Sequence, residues 1–169
     1  MKKNLVLLGM MGVGKTTLGK IVAEKLGLVF IDTDQNIEKE NLMTISEIFK
    51  RKGEKFFRKL EEKEALKSLK KNTCLIALGG GAFMNEKIRD YVLKNSLSIW
   101  LDINIKTLIK RLEWNQNRPL LKDVNINDQI TKIYELRKKF YEQAHHKINC
   151  NELNKSDIVK KIIIYYEKH

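Results

Sequence analysis

The segment at residues 9–16 reads G-M-M-G-V-G-K-T, which fits the pattern G-x-x-x-x-G-K-[ST]. An apolar run at residues 5–8 precedes it, and residues 17–26 follow with apolar side chains at helical spacing. A buried strand, a glycine-rich turn and a helix form the context in which this pattern binds nucleotide phosphates. The context disfavours the alternative, an ordinary strand-to-helix turn that fits the pattern by chance.

Each part of this segment has a physical reason to hold phosphate. Glycines let backbone N–H groups close around phosphate oxygens, and the helix N-terminus adds a partial positive charge. Lys15 is expected to reach the β- and γ-phosphates, and the Thr16 hydroxyl is expected to ligate Mg²⁺. The predicted nucleotide-binding residues of the segment are Gly12, Val13, Gly14, Lys15, Thr16 and Thr17.

The rest of the chain alternates apolar runs with amphipathic stretches, and the apolar run at residues 28–31 is expected to form a second buried strand. This alternation predicts a three-layer α/β fold, in which helices cover both faces of a five-stranded parallel sheet. With right-handed crossovers the sheet is doubly wound, and ligands bind at the carboxyl ends of its strands. That rule places residues 9–16, 32–34 and 79–81 along one cleft. Strands are predicted at residues 5–8, 28–31, 74–78, 97–101 and 147–150, and helices at residues 17–26, 35–42, 54–71, 86–93, 106–114, 126–144 and 156–168, with a further helix that starts at a capping box of Thr44 and Glu47.

Length and composition limit the class of protein. With 169 residues, 43% of them hydrophobic and 32% charged, the chain is expected to form one soluble domain over residues 1–169. The absence of a signal-peptide pattern and of a long apolar run favours a cytoplasmic location without a membrane partner. Cys74 and Cys150 lack metal-type spacing and are expected to be reduced, buried thiols.

The formal net charge of +12 has three explanations: a nucleic-acid partner, a small anionic substrate, or a lysine-rich surface. Lysines alternate with glutamates, as at residues 62–64, and no block of like charges reaches five. The interleaving favours a solvated surface and no nucleic-acid partner.

Asp32 and Asp34 follow the second predicted strand. Phosphoryl transfer needs an acid that organises the metal ion, and the third strand ends in glycines rather than in an acid. Asp32 is therefore the candidate magnesium ligand, and Asp34 is the candidate for an acceptor hydroxyl. Both point from one face if the backbone stays extended. The alternative is that both only form the turn after the strand.

Gly79, Gly80 and Gly81 follow the third predicted strand. Three residues without side chains permit a ligand to approach the backbone N–H groups closely, which makes them candidate substrate contacts. A simple turn that ends the strand is the alternative.

Two arginines are candidates for binding a small anion. Arg58 and Glu61 are three residues apart on one predicted helix and are therefore neighbours on its surface. Arg137 lies on the long predicted helix at residues 126–144. Taken singly, each arginine is expected at the surface. Two guanidinium groups that converge on one anion would suit a carboxylate.

Arg118 lies beside the only proline, in a loop-like segment between helices. An arginine on a closing loop can neutralise the charge of a transferred phosphoryl group. Arg111, on the preceding helix, can stack its guanidinium on a nucleotide base. The adjacent His145 and His146 would diverge by about 100° on a helix and cannot share a metal ion, so we expect them to be structural or solvent-exposed.

In order and spacing, these motifs resemble those of the shikimate kinase family. The similarity covers nearly the whole chain, and the combination is more specific than any single motif. The matching parts are Gly9-x-x-x-x-Gly14-Lys15-Thr16, Asp32-Thr33-Asp34, Phe57-Arg58-x-x-Glu61, Gly79-Gly80-Gly81, Arg118-Pro119-Leu120-Leu121 and Arg137-x-x-x-Tyr141.

The resemblance implies a P-loop kinase fold, in which a mobile lid at about residues 112–125 faces a substrate-binding region at about residues 34–60. It implies ATP and Mg²⁺ as cofactors. The implied reaction is transfer of the ATP γ-phosphate to the 3-hydroxyl of shikimate, in the pathway to chorismate and the aromatic amino acids. The small molecules ATP and shikimate are then the partners, and a monomer is the default expectation.

The resemblance also implies a role for each candidate residue. Asp34 would bind the acceptor hydroxyls and take the proton, and Glu61 would orient Arg58. Lys15 and Arg118 would stabilise the transferring phosphoryl group. The remaining roles would be binding of Mg²⁺ by Thr16 and Asp32, and binding of shikimate by Arg58, Arg137 and the backbone at Gly79, Gly80 and Gly81.

Two other functions compete with this one. A gluconate kinase or a nucleoside monophosphate kinase would share the fold, although a nucleotide acceptor needs a pocket for a second base. A basic phosphate-binding module for nucleic acid would need a clustered basic face with aromatic side chains. The interleaved charges disfavour the second alternative.

Overall fold

The computed structural model describes residues 3–113 and 125–169. Its strands are β1 (Asn4–Leu8), β2 (Val29–Asp32), β3 (Cys74–Ala77), β4 (Ser96–Asp102) and β5 (His146–Asn149). They form one parallel sheet in the order β2-β3-β1-β4-β5, so the strand that leads into the phosphate segment is central. The predicted five-stranded parallel sheet is confirmed.

Helices cover both faces of this sheet. Within the described ranges they are α1 (Lys15–Leu26), α2 (Thr33–Asn41), α3 (Ile45–Lys52), α4 (Glu54–Leu69), α5 (Glu86–Asn95), α6 (Ile105–Glu113), α7 (Ile126–Tyr141) and α8 (Lys155–Lys168). Helix α1 contacts α8, and α4 contacts α5. The two pairs lie on opposite faces, because the crossover from β1 to β2 runs one way across the sheet and the later crossovers run the other way.

The inner strands β3, β1 and β4 are buried almost throughout. The predicted burial of the second strand is wrong, because Val29 is 61% exposed and Ile31 is the one fully buried residue of β2. This strand is at the edge of the sheet, where one neighbouring strand covers it and its beginning meets solvent. Apolar sequence alone does not distinguish an edge strand from a central one.

Side-chain caps determine where the helices around the cleft begin. Helix α2 starts two residues earlier than predicted, because the Asp32 carboxylate accepts hydrogen bonds from the backbone N–H groups of Asp34 (3.1 Å) and Gln35 (3.2 Å). The predicted capping box at α3 is confirmed: the Thr44 N–H donates to the Glu47 carboxylate at 2.8 Å, and the Glu47 N–H donates back to the Thr44 hydroxyl at 3.2 Å.

The adjacent histidines serve the fold, as predicted. Nδ1 of His145 lies 2.7 Å from the Ser98 hydroxyl oxygen, which joins the start of β5 to β4. His146 stacks on Tyr165 with 4.1 Å between the ring centroids. In the two described ranges, no group of three or more His, Cys, Asp or Glu side chains could hold a metal ion.

The cysteines and the helix lengths bear on the expected class of protein. Cys74 and Cys150 are buried and form no disulfide, as predicted. Burial raises the pKa of the Cys150 thiol to about 11, which keeps it protonated at neutral pH. Among the helices that the structure describes, none is long and apolar enough to cross a membrane.

Asn4 joins the turn after α4 to the sheet. It is buried, and its side-chain amide donates to the backbone carbonyls of Leu69 (3.1 Å) and Lys71 (2.5 Å). Its Oδ1 accepts a hydrogen bond from the backbone N–H of Cys74 at 2.9 Å. One side chain therefore satisfies three backbone groups, which would otherwise lose their partners at the edge of the core.

The variant Asn4→Ala is expected to lower the free energy of unfolding by about 2 kcal/mol, because backbone groups lose their hydrogen bonds away from water. Urea denaturation followed by circular dichroism measures the loss. The control is Asn95→Ala: Asn95 is exposed and its amide donates to the carbonyl of Tyr91. Its free energy of unfolding is expected to change by less than about 0.5 kcal/mol. Equal losses in the two variants would contradict the role of Asn4.

Candidate active site

A cleft of about 440 Å³ lies at the carboxyl ends of β1, β2 and β3. Its walls come from the phosphate segment and from helices α2, α3, α4 and α7. This is the position that parallel-sheet folds use for ligands. The predicted site residues that line it are Gly12, Gly14, Lys15, Thr16, Thr17, Asp32, Asp34, Arg58, Gly80, Gly81 and Arg137.

The other predicted site residues lie beside the cleft or outside the described residues. The Val13 side chain is buried, which leaves its backbone for a ligand. Arg111 on α6 donates to the Val13 carbonyl at 3.3 Å, so this guanidinium lies against the phosphate segment. Gly79 packs against the Asp34 side chain, next to the cleft lining. Arg118 belongs to residues 114–124, which are not described.

The phosphate segment forms a turn that needs glycine. Gly12 and Gly14 have φ angles of 80° and 104°, which side chains of L-residues rarely adopt. Helix α1 begins directly after Gly14, so its first N–H groups face the turn. Nζ of Lys15 donates to the carbonyls of Gly9 (2.7 Å) and Met10 (3.0 Å) and therefore lies over the same turn. A cation and a helix N-terminus together attract phosphate.

Thr16 and Asp32 form the oxygen pair that fits Mg²⁺. The Thr16 hydroxyl donates to Oδ2 of Asp32 at 2.6 Å, while Oδ1 caps α2. A hydroxyl and one carboxylate are few ligands, yet Mg²⁺ at nucleotide sites keeps several waters and takes the rest of its oxygens from phosphate. The pair borders the phosphate segment, so the residues present fit a magnesium ion that arrives with a nucleotide.

Asp34 reaches the cleft by a different route from the one considered from its sequence. The backbone does not stay extended after Asp32, because α2 begins at Thr33 and puts Asp34 in its first turn. Thr33 is buried and joins this turn to the end of β3: its hydroxyl donates to the Ala77 carbonyl at 3.3 Å and accepts from the Gly79 N–H at 3.0 Å. Asp34 therefore faces the glycine turn.

Glu61 is the centre of a charged cluster on the opposite wall. It is 3% exposed, and its Oε2 lies 2.8 Å from Nη1 of Arg58. The Arg58 side chain is 33% exposed and also binds Glu54 at 3.0 Å. Arg137 is 7% exposed, and its Nη1 is buried without a hydrogen-bond partner in the described part of the chain. A surface position, expected for a single arginine, is therefore excluded for Arg137.

The charged groups of this cluster are two guanidinium groups, Arg58 and Arg137, and two carboxyl groups, Glu61 and Glu54. Burial raises the pKa of the Glu61 carboxyl above its ordinary value, although the guanidinium groups of Arg58 and Arg137 act in the opposite direction. Burial also opposes the charge of Arg58, but Glu61 and Glu54 outweigh that effect and raise the pKa of Arg58. Both arginines face the buried Glu61, yet Nη1 of Arg137 has no hydrogen-bond partner in the described part of the chain, so this nitrogen can donate to a further anion.

The glycine turn after β3 is packed against functional side chains. A Cβ atom at Gly79 would lie 2.5 Å from Oδ1 of Asp34, and one at Gly80 would lie 3.0 Å from Nη1 of Arg137. A Cβ atom at Gly81 would collide with the guanidinium of Arg58. The turn therefore needs glycine because side chains approach it closely, and its φ angles are not in the left-handed region.

Tyr141 fixes the middle of this turn from α7. Its hydroxyl donates to the Gly80 carbonyl at 2.5 Å, and its ring lies 5.8 Å from that of Trp100 on β4. Burial raises the pKa of Tyr141 to about 12, so the hydroxyl keeps the proton that it donates. The tyrosine lies one helical turn after Arg137, and the two side chains approach the glycine turn from the same helix.

Comparison with known proteins shows the family of this chain. The family model for shikimate kinase matches residues 11–167, nearly the whole chain. The chain belongs to the shikimate kinase family. The shikimate kinase of Bartonella quintana (strain Toulouse) is 42% identical over 162 residues, which cover 96% of this chain and 77% of that protein. The shikimate kinase of Sulfurihydrogenibium sp. (strain YO3AOP1) is 39% identical over 161 residues, which cover 95% and 96%.

Solved structures of shikimate kinases have the same fold. A shikimate kinase from Acinetobacter baumannii in complex with shikimate superimposes with a TM-score of 0.94 at 31% identity, covering 99% of this chain and 94% of that one. A gluconokinase from Sinorhizobium meliloti 1021 covers 99% of this chain and 93% of its own, with a TM-score of 0.61 at 14% identity. The second likeness shows the shared P-loop kinase fold alone.

Sequence reasoning missed an apolar wall of the cleft in this member of the shikimate kinase family. Ile45 and Phe49 line the cleft from α3, and Phe57 lines it from α4. The ring centroids of Phe49 and Phe57 are 4.7 Å apart. The spacing of Ile45 and Phe49, four residues apart on an amphipathic helix, indicates a shared buried face. It does not indicate that this face meets a ligand rather than the core.

The raised pKa of Glu61 predicts how stability depends on pH. A carboxyl with a raised folded-state pKa contributes stability that is full below its ordinary pKa and is lost as the pH rises through the raised value. Glu61→Gln cannot ionise, so its free energy of unfolding is expected to increase relative to that of the wild type between about pH 4 and pH 7. Urea denaturation of both proteins at several pH values measures this difference.

The control for this experiment is Glu62→Gln on the same helix. Hydrogen bonds from Lys87 and Asn85 lower the pKa of Glu62. The sign is then reversed: the stability that Glu62 contributes is present above its ordinary pKa and is lost as the pH falls through the lowered value, so Glu62→Gln is expected to lose stability relative to the wild type as the pH rises to about 5 and to change little from there to pH 7. If both variants shift in the same direction, the buried position of Glu61 does not control its titration.

Proposed function

We propose that this chain transfers the γ-phosphoryl group of ATP to the 3-hydroxyl of shikimate, which yields shikimate 3-phosphate and ADP. The observation that carries the proposal is a single cleft with Lys15 on one side and Arg58 and Arg137 on the other. Membership of the shikimate kinase family supports the same reaction. The product belongs to the pathway that leads to chorismate and the aromatic amino acids.

The carboxylate of shikimate binds to Arg58 and Arg137. The unpartnered Nη1 of Arg137 supports this, because a carboxylate oxygen would satisfy a buried donor that the described part of the chain leaves without a hydrogen bond. Gly80 and Gly81 lie against the same two guanidinium groups, so the ring of the substrate rests on the backbone of the glycine turn.

Asp34 binds the acceptor hydroxyl and takes its proton. The support is its place in the cleft, between the glycine turn and the phosphate segment. A carboxylate within hydrogen-bond reach of the attacking hydroxyl acts as a general base and aligns the oxygen with the phosphorus atom. Thr33 holds the first turn of α2 on β3 and so fixes the backbone of Asp34.

Lys15 stabilises the transferring phosphoryl group. Its bonds to the Gly9 and Met10 carbonyls are exchanged for bonds to phosphate oxygens, which are stronger acceptors because they are charged. Gly12, Val13, Gly14, Thr16 and Thr17 offer backbone N–H groups to the phosphates. Arg118 has the same proposed role as Lys15, in a proposed lid at about residues 112–125, and it lies in the undescribed range 114–124.

Thr16 and Asp32 hold Mg²⁺. The hydroxyl and the second carboxylate oxygen are close enough to contact one ion directly or through water. When bound, the ion neutralises charge on the β- and γ-phosphate oxygens. The competing role of Asp32 as the cap of α2 uses its other oxygen, so the two roles are compatible.

The remaining parts of the proposal concern the base, the regions and the setting of the enzyme. Arg111 stacks on the adenine, which its position against the phosphate segment supports. Residues 34–60 form the substrate-binding region, since Asp34, Ile45, Phe49 and Arg58 line the cleft. We further propose a monomer of one domain, in the cytoplasm, that has no nucleic-acid or membrane partner.

Release of ADP in the presence of shikimate, gluconate, AMP and CMP at equal concentrations tests the proposed reaction. Shikimate is expected to raise ADP release far above the background hydrolysis of ATP, and the other acceptors are expected to leave it at background. Faster release with gluconate or a nucleotide would overturn the proposal. Binding of a single-stranded oligonucleotide that weakens steeply with salt would support a nucleic-acid module instead.

Arg58→Ala and Arg137→Ala are each expected to raise the KM for shikimate by about a hundredfold, because each removes one guanidinium from a buried charge pair. The dissociation constant of ATP, measured by calorimetry without shikimate, is expected to change by less than about twofold. The control is Arg51→Ala: Arg51 is exposed, lies outside the cleft and pairs with Glu47 at 3.9 Å. Equal losses of ATP and shikimate binding would contradict the roles of Arg58 and Arg137.

Asp34→Asn is expected to lower kcat by about 10²- to 10⁴-fold, because the amide cannot accept the proton of the hydroxyl. ATP binding is expected to stay near that of the wild type. Steady-state kinetics and calorimetry measure the two quantities. The matched variant Asp157→Asn, on α8 and outside the cleft, is expected to keep the wild-type kcat. A kcat that survives in Asp34→Asn removes Asp34 from the catalytic residues.

A further inference from the structure

Glu64 is a buried carboxylate that has no part in the proposed reaction. It lies on α4, three residues after Glu61, and its side chain is 4% exposed. Its Oε1 accepts hydrogen bonds from the Asn36 amide at 2.7 Å and from the Ser68 hydroxyl at 2.9 Å. Its Oε2 lies 3.4 Å from Nζ of Lys67. Burying a carboxylate costs free energy, so a position that an apolar residue could fill calls for a reason.

The hydrogen bond from Asn36 to Glu64 joins α2 to α4, and both helices line the cleft. Asn36 lies on α2, two residues after Asp34. Glu64 lies on α4, the helix that also carries Arg58 and Glu61. The bond therefore connects the helix of the proposed base to the helix of the proposed carboxylate site.

Other contacts between these helices are less directional. Ile37 on α2 and Phe57 on α4 belong to one apolar cluster, which holds the helices together without fixing their register. The Glu40–Lys67 pair also joins α2 to α4, but both side chains are 52% exposed, and exposed pairs contribute little. The Asn36–Glu64 hydrogen bond joins a half-buried amide to a buried carboxylate, and its preferred distance and angle fix the register more closely.

We propose that Asn36 and Glu64 are positioning residues that set the separation of Asp34 from the Arg58–Glu61 pair. This inference rests on the proposed function, because shikimate is the molecule that spans the two helices. A rigid small acid has its carboxylate bound by α4 and its hydroxyl bound by α2. Its alignment therefore changes with any displacement between these two helices. A misplacement of about 1 Å can cost two orders of magnitude in rate.

The same helix offers a matched control in Glu62. The Asn85 amide donates to Oε2 of Glu62 at 2.6 Å, and Nζ of Lys87 donates to its Oε1 at 2.9 Å. The donors are of the same types as in the Asn36–Glu64–Lys67 group, with the difference that the Glu62 side chain is 30% exposed and that of Glu64 is 4% exposed. These bonds join α4 to the beginning of α5, which carries no proposed site residue.

The experiment compares Asn36→Ala, Glu64→Gln and Glu64→Leu with Glu62→Gln and Glu62→Leu. The thermal midpoint, kcat, the KM for shikimate and the KM for ATP are measured for each, with kinetics well below the lowest midpoint. Asn36→Ala and Glu64→Leu are expected to lower kcat/KM for shikimate by about tenfold, the equivalent of one buried hydrogen bond to a charged group. The KM for ATP is expected to stay unchanged. Glu64→Gln keeps a carbonyl oxygen for Asn36 and is expected to retain wild-type kinetics.

The Glu62 variants separate positioning from stability. They are expected to keep the wild-type kcat/KM for shikimate even where their thermal midpoints fall. A loss of kcat/KM in Glu62→Leu equal to that in Glu64→Leu would overturn the proposal, as would an unchanged kcat/KM in Asn36→Ala. Should Glu64→Leu fail to fold, Asn36→Ala decides, because it leaves Glu64 bonded to Ser68.

The outcomes also separate this inference from the function on which it rests. If the wild type is active and Asn36→Ala and Glu64→Leu keep the same kcat/KM for shikimate as the Glu62 variants, the positioning role alone is overturned. A wild type that does not phosphorylate shikimate overturns the proposed function and the positioning role with it.

Discussion

Buried charge on α4 and α7 is the constraint on which the proposed site for the substrate carboxylate depends. Glu61 is nearly inaccessible to water, and the rise in its pKa reflects the cost of that burial. Arg58 offsets part of the cost through a 2.8 Å ion pair, whereas one nitrogen of Arg137 has no partner among the described residues. A buried cation that is incompletely paired destabilises a fold. The protein places it where an anionic ligand can complete the pairing.

The glycine turn after β3 lets this cluster and the proposed base meet. Asp34, Arg137 and Arg58 each approach a different glycine so closely that a methyl group would collide with it or crowd it. Thr33 and Tyr141 bind the same turn from α2 and α7. Three helices, α2, α4 and α7, therefore depend on one short segment of backbone without side chains. The dense packing explains why a strand that ends without an acidic residue is still central to the site.

Polar contacts extend this organisation away from the cleft. Asn4 satisfies backbone groups between α4 and β3, and Asn36 and Glu64 join α2 to α4. Asn4 and Glu64 are buried and Asn36 is half-buried, and each forms directional bonds beside the apolar contacts of the core. Such bonds contribute little net stability on average, but they exclude alternative registers of helix and strand. The residues of the site lie on several helices, so the distances between these residues depend on a single register of each helix.

Much of the fold and part of the site could be predicted from local pattern. The phosphate turn, the five strands of the parallel sheet and the capping box at α3 follow from residues that are close in sequence. The burial of β2 could not be predicted, because an edge strand and a central strand have the same apolar composition. The route of Asp34 to the cleft was also missed, because capping by Asp32 depends on where α2 ends up beside β3.

The sequence by itself determined the class of ligand: its pattern of glycine, lysine and threonine binds phosphate wherever a strand and a helix flank it. Tertiary structure alone decided that Arg137 is buried, that Glu61 lies between two guanidinium groups and that Glu64 bonds to Asn36. These facts join residues far apart in the chain. They depend on how helices pack on a twisted sheet, and spacing along the sequence carries no information about that packing.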